Sequence, residues 1–326
     1  MADHAVDDDF DGDTFIYRGR RAAPLHVTHV LIDESVDEIE DHAFRNCRHL
    51  VQVDTHNGLR RVGKCAFWKC KSLRRINLKS DVVEIDVSAF SGCNNLESVE
   101  FGDRLETIGQ KAFEYCYSLK HPKLPSIISI GIGAFGDCTY LSDIEFSERL
   151  ETIGADAFKF CDRLQRIAVP VKRDLFVFNQ YSQTYNQFGR CEQLTTVDLV
   201  GGIHTTAASL HMESWRTDVT AEINRINQVL PNTHADDKTE EIYQWMELLL
   251  DKMDRYRAEH CRYVKEGITL LELALWKAKL CEKEDKCEED NSKMVKVASE
   301  SARREKRITC GADIVIKNVL PFLQLE

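Results

Sequence analysis

The sequence predicts a solenoid of short parallel strands, one per coil of about 23 residues, followed by an α-helical C-terminal module. Two observations carry this. A Phe and a Cys three residues apart recur at Phe44/Cys47, Phe67/Cys70, Phe90/Cys93, Phe113/Cys116, Phe135/Cys138, Phe158/Cys161 and Phe188/Cys191, at intervals of 23, 23, 23, 22, 23 and 30 residues. A fixed period in the twenties marks coils that cannot bury their apolar faces alone and so stack into one core. From about Thr205 the apolar period changes to 3 and 4, which is helical.

Residues 1–24 read as an acidic N-terminal tail: Met1 to Asp13 holds six Asp and no apolar run, the opposite of a signal peptide. Residues 25–202 read as the array, with an N-terminal cap strand and an atypical last repeat. Its clearest unit is Leu105-Glu-Thr-Ile108-Gly109, Ala112-Phe113, Cys116, Leu119, nearly restated from Leu150 to Leu164. After each Leu the pattern alternates, as in Leu73, Ile76, Leu78 and Leu96, Val99, Phe101, which places one apolar face inward on a strand. Gly63, Gly109, Gly131 and Gly154 relieve a tight corner, and Ala-Phe-x-x-Cys forms the opposite wall. Pro122 stands where other coils have Ile76, Val99 and Ile144, so that coil lacks a ladder donor. The last unit is longer by about a third, and residues 171–187 are either a cap or a binding loop.

The string Ile-Gly-x-x-Ala-Phe-x-x-Cys-x-x-Leu resembles leucine-rich repeats of the bacterial-surface-antigen (BspA-like) type. Six copies centred on Phe44 to Phe158 keep most of it, and Phe188-Gly-Arg-Cys191 keeps its end. With His26-Val-Thr-His29, Gln193 to Gly201 and Thr309 to Phe322, the chain is similar to a large diatom family of leucine-rich-repeat domain-containing proteins. The resemblance implies a leucine-rich repeat solenoid and no particular reaction.

Residues 203–281 read as a helical module. Trp215, Val219, Ile223, Ile226 and Leu230 form one stripe ended by Pro231; Ile242, Trp245, Leu249, Met253 and Tyr256 form a second. Ile268 to Leu280, with Leu270, Leu271, Leu273, Leu275 and Trp276, forms a third after a break at Gly267. Three helices with short connections make an antiparallel module or a hairpin. Trp276 is expected in a core, covered by the solenoid end, the other helices or a second copy. Residues 282–307 read as a charged linker and 308–326 as a C-terminal docking segment.

Twelve cysteines raise disulfides and metals. The seven in the ladder sit side by side at the ~4.8 Å strand spacing with parallel Cα–Cβ vectors, whereas a disulfide needs Cβ atoms ~3.5–4.5 Å apart and turned together. They are small buried packing residues, and no CxxC pair supports zinc. No phosphate loop, nucleophile elbow or H-E-x-x-H motif occurs, and His26 with His29 reads as cap packing. The chain is expected to be no enzyme and to hold no cofactor or metal. A net charge of −11 argues against nucleic acid, and no stretch has the ~18 apolar residues of a membrane span. The expected location is intracellular, cytoplasmic rather than nuclear despite the short basic run Arg303 to Arg307.

Alternation assigns two outward columns: Asp54, Asn77, Glu100, Lys123, Glu145, Ala168, Asp198 beside Gln52, Arg75, Ser98, His121, Asp143, Arg166, Thr196. They are read either as a surface charge ladder of ~0–1 kcal/mol per pair, in which Lys123 sits between Glu100 and Glu145, or as a strip selecting a polar or basic partner. The candidate partner-binding residues are Asp54, Arg75, Asn77, Glu100, His121, Lys123, Asp143, Glu145, Arg166 and Asp198. Two functions follow: a recognition or scaffold module for a protein partner, and an assembly protein that forms a homo-oligomer through its helices with the repeats as spacer.

Overall fold

The structure, a computed structural model, describes residues 10–11, 14–19, 22–78, 81–180, 183–200 and 213–288. The chain divides into two compact units, Met1–Gly202 with Asp218–Leu250, and Ile203–Thr217 with Asp251–Glu326. This division groups Asp218–Leu250 with the coils, whereas the sequence reading takes residues 203–281 together as one helical module. The expected tail over 1–9, the end of the array and start of the helical module over 201–212, the linker from 289 and the docking segment over 308–326 lie outside the described residues.

In the first unit each coil carries up to two strands, where the sequence predicts one. One ladder is built from β1 (Phe10–Asp11), β2 (Thr14–Tyr17), β3 (His29–Ile32), β5 (Gln52–Asp54), β7 (Arg75–Leu78) and β9 (Ser98–Phe101), and resumes as β12 (Asp143–Glu145), β14 (Arg166–Val169) and β15 (Thr196–Leu199). The second ladder has two residues per coil: β4 (Glu38–Ile39), β6 (Arg61–Val62), β8 (Glu84–Ile85), β10 (Thr107–Ile108), β11 (Ser129–Ile130) and β13 (Thr152–Ile153). Pairing is parallel except between β1 and β2. So short a strand has too few residues to show an alternation. The gap between β9 and β12 falls on the coil containing Pro122, which has no N–H for the ladder.

A third wall holds the Phe-x-x-Cys turns. The N–H groups of Lys111, Phe113 and Tyr115 donate to the carbonyls of Ile132, Ala134 and Gly136 in the next coil at 2.9, 2.7 and 2.9 Å. Two residues in left-handed backbone bracket the Phe, as at Lys111 and Tyr115 (φ 56° and 62°) or Asp156 and Phe160 (57° and 60°). The coils stack closely at the corner between the second and third walls. A Cβ on Gly131 would meet the Gln110 amide nitrogen at 2.5 Å, so a side chain there forces the coils apart.

The core is a file of aromatic rings. Phe44, Phe67, Phe90, Phe113, Phe135, Phe158 and Phe188 are fully buried, and adjacent centroids lie 4.9–5.5 Å apart with planes within 16°. The file begins one coil earlier than expected. Tyr17, in the segment read as tail, is buried with Phe15, and its ring lies 5.0 Å from Phe44. Its hydroxyl accepts the Glu40 N–H at 3.1 Å. By contrast His26 and His29 are exposed rather than packed into a cap.

Of the predicted helices, α1 (Glu213–Val229) leads into a single 3-10 turn at Leu230–Asn232, where Pro231 stops the α-helical ladder. The second and third expected helices are one, α2 (Lys238–Glu288), which passes through Gly267 without a break and includes residues 282–288 assigned to the linker. A lone Gly costs about 1 kcal/mol in a helix interior, and good helix formers on both sides outweigh it. Within the first unit, the Trp245 indole N–H donates to the Glu222 carbonyl at 3.1 Å, tying the two helices together.

In the second unit Leu270, Leu273, Leu275 and Trp276 are 65%, 60%, 56% and 69% exposed, so Trp276 is not the core residue expected.

Candidate recognition surfaces of the coil array

The first ladder orients the outward columns. Val53, Ile76, Val99, Pro122 and Ile144 are buried, while Gln52 and Asp54, Arg75 and Asn77, Ser98 and Glu100, His121 and Lys123, and Asp143 and Glu145 are exposed. Parallel register sets Arg75 beside Ser98 and Asn77 beside Glu100. At the C-terminal end the pattern fails. Ala168 is buried, whereas Arg166 and Asp198 are half-buried and joined by a 2.8 Å ion pair. The expected bridge at Lys123 is also absent: among the described residues it makes no ion pair, since the Pro122 coil leaves the ladder that would align it with Glu100 and Glu145. His121 instead faces Ser142 Oγ at 3.1 Å and Asp143 at 3.6 Å.

The second ladder presents a separate polar column. Arg61 joins Glu38, Glu84 and Asp86 across three coils, and further on Ser129 Oγ and Thr152 Oγ1 lie 3.0 Å apart. This column was hidden in the sequence because its strands are only two residues long.

The third wall carries aromatic side chains that sequence reasoning did not collect. Tyr115, Tyr117, Tyr140 and Phe160 are each 40–44% exposed, and the Tyr140 N–H donates to the Tyr117 carbonyl at 3.1 Å. For Tyr115 and Phe160 the signal lies in the second position after each Phe, which reads Asn46, Lys69, Gly92, Tyr115, Asp137, Phe160 and Arg190. That column is outward because all seven residues are left-handed, with φ between 59° and 77°.

The last coil is finished by other parts of the unit. Leu175 and Val177, in the 171–187 insertion, exchange backbone hydrogen bonds with Ile153 at 2.7 and 3.0 Å and extend the second ladder. Tyr185 stacks on Tyr243 with centroids 4.1 Å apart, and Arg173 reaches Glu247 at 3.5 Å. Asn227 pairs with both backbone groups of Val197 at 2.8 and 3.2 Å, as a further strand would. The Phe188 N–H, which in earlier coils meets the next coil's carbonyl, donates to Thr239 Oγ1 at 2.9 Å.

Cys47, Cys65, Cys70, Cys93, Cys116, Cys138, Cys161, Cys191 and Cys261 are free thiols. In the ladder every Sγ after the first donates to the Phe carbonyl of the preceding coil, from 3.0 Å at Cys70 to 3.3 Å at Cys138 and Cys161, and Cys47 Sγ donates to the Pro24 carbonyl at 3.7 Å. Burial raises the thiol pKa to about 11 at Cys47 and well above the ordinary value at Cys70 and Cys116, so the reactive thiolate is suppressed there. Among the described residues no group of three or more His, Cys, Asp and Glu is placed to hold a metal ion, and no helix is long and apolar enough to cross a membrane.

The profile of the BspA type leucine-rich repeat region matches six copies over residues 23–128 and 106–228, more than half of the 326 residues. The chain belongs to this leucine-rich repeat family. No curated protein matches it. Among solved structures it is similar to a leucine-rich repeat protein from Bacteroides ovatus, at 24% identity over 54% of this chain and 56% of that one, with a TM-score of 0.40. It is also similar to the T. pallidum leucine-rich repeat protein, at 21% identity over 64% and 87%, with a TM-score of 0.39. A leucine-rich cell surface protein from Faecalibacterium prausnitzii is matched at 21% identity over 54% and 61%, with a TM-score of 0.36. The matched segment thus spans about half the length of the first of these proteins.

Proposed function

We propose that the chain is a non-enzymatic recognition or scaffold module that engages a protein partner through the outward columns of its first ladder. The observation that carries this reading is the exposure of Asp54, Arg75, Asn77, Glu100, His121, Lys123, Asp143 and Glu145 beside a fully buried apolar column. Side chains that packing does not constrain are free to vary with a partner. Five coils contribute to this face, and its mixed, mainly acidic charge suits a polar or basic partner. Arg166 and Asp198 neutralise one another and contribute at its edge. An intracellular, cytoplasmic setting accompanies the reading. Changing Glu100, Asp143 and Glu145 together to Lys is expected to release the co-purifying partner. A partner retained by that variant removes the function from this face.

A second reading is self-assembly through α2, favoured by the exposure of Leu270, Leu273, Leu275 and Trp276. So contiguous a set of apolar side chains marks an interaction site more often than an idle surface. Light scattering at high concentration is expected to give a multimeric mass under this reading, and a monomeric mass rules it out.

A further inference from the structure

We propose that the third wall of the fourth to sixth coils binds a basic protein segment by seating an arginine or lysine side chain between Tyr115 and Phe160, over the carboxylate of Asp137. This is a different face from the strand columns and does not depend on them.

Tyr115, Asp137 and Phe160 occupy the same position in three successive coils, with φ of 62°, 59° and 60°. Their backbones are laced in register: the Tyr115 N–H donates to Gly136, the Asp137 N–H to Lys159 and the Phe160 N–H to Gly189, at 2.9, 2.8 and 3.0 Å. Equivalent backbone sends equivalent side chains out side by side. The coil repeat in this region is given by the Phe113, Phe135 and Phe158 rings, whose successive centroids are 5.2 Å apart. The side chains of Tyr115 and Phe160 therefore leave the wall on either side of Asp137, with roots about 10 Å apart, twice the strand spacing. A cation seated over Asp137 lies about 5 Å from each root, so that either ring can turn its face to it within the ~6 Å reach of a cation–π contact.

The lysines on this wall are held to other carboxylates. Lys111 is engaged with Glu114 at 3.0 Å and Lys159 with Asp156 at 3.1 Å, and the Lys159 ammonium stands 5.6 Å from the Phe160 centroid, at the outer limit of a cation–π contact. Among the described residues the Asp137 carboxylate has no ion pair. Partial burial, with Glu114 and Asp162 nearby, raises its pKa, the mark of a carboxylate short of positive charge. Lys159 lowers it only in part. The same wall displays the contact it would make with a partner: the Arg163 guanidinium lies 4.0 Å from the Tyr140 centroid, and Lys69 4.0 Å from that of Trp68. Exposed Tyr117, which lies near enough to Asp137 for the carboxylate to raise its phenol pKa after burial, adds a further aromatic side to the seat.

The test is fluorescence polarisation of a labelled peptide of alternating glycine and arginine titrated with the full chain, beside a copy in which citrulline replaces arginine. The arginine peptide is expected to bind saturably and the neutral copy is not. Asp137→Asn, Tyr115→Asn and Phe160→Asn are each expected to weaken binding about tenfold, the scale of one cation–π or charge contact. Asn tolerates left-handed backbone better than the residues replaced, so these variants keep the turn, and matched melting curves check this. Asp103→Asn, exposed between the two ladders and on neither proposed face, is expected to leave the affinity unchanged. Absent saturable binding, wild-type affinity in Asp137→Asn, or an equal loss in Asp103→Asn overturns the proposal.

Discussion

Replacing Phe113 by Ala is expected to lower stability by about 3–5 kcal/mol, the cost of emptying a buried aromatic site. Phe113 is fully buried and meets three rings: Phe90 and Phe135 in stacked geometry at 5.2 Å each, and Phe101 edge-on at 5.9 Å. A solenoid's stability is close to a sum of coil and nearest-neighbour terms, so one interior truncation weakens two interfaces at once. The same change at Phe188 is expected to cost less. That ring stacks only on Phe158, at 5.5 Å, and meets Phe176 edge-on at 5.9 Å. Its other side faces the helical cap, which can settle into the space. Chemical denaturation of the two variants beside the wild type provides the measurement, and equal losses would contradict a stacked core with an adaptable end.

The stacked rings were legible because packing repeats: every coil must place one large and one small side chain at the same depth, and the period of Phe and Cys records it. Outward strand positions were legible for the same reason through alternation, as far as Glu145. Beyond it the rule failed at Ala168, where burial depends on the end of the array rather than on the strand's own pattern. The second ladder was invisible because Glu38–Ile39 and its successors are two residues long. The aromatic seat on the third wall was hidden for another reason. Side chains such as Tyr115 and Phe160 face outward only because the backbone is left-handed there, a conformation that non-glycine residues seldom adopt and that sequence does not flag. Gly267 misled in the opposite direction, since a helix carries one glycine when its neighbours supply the propensity.

The closure of the array, for which the sequence offers residues 171–187 as a cap, rests also on a few polar atoms that no periodicity reveals. Replacing Lys238 by Met is expected to cost about 3 kcal/mol, within the range for charged hydrogen bonds lost together with the satisfaction of buried acceptors. Lys238 is 2% exposed, and its ammonium donates to the carbonyls of Cys191, Glu192 and Leu194 at 3.2, 2.7 and 2.7 Å. These carbonyls end the last coil, where no further coil supplies donors. A cation at the first residue of α2 opposes the helix dipole, so its place there is explained by the coil and not by the helix. Burial lowers the Lys238 pKa from its ordinary 10.5. The folded state then gives up this proton at a lower pH than the unfolded chain, and between the two values stability rises with pH. The Met variant has no such proton. The stability difference between wild type and variant is therefore expected to widen as pH approaches 10.5, and urea melts of both proteins across alkaline pH measure it. A difference that narrows over that interval would mean that the folded state holds this proton more tightly than the unfolded chain, the three donors of the ammonium outweighing its burial.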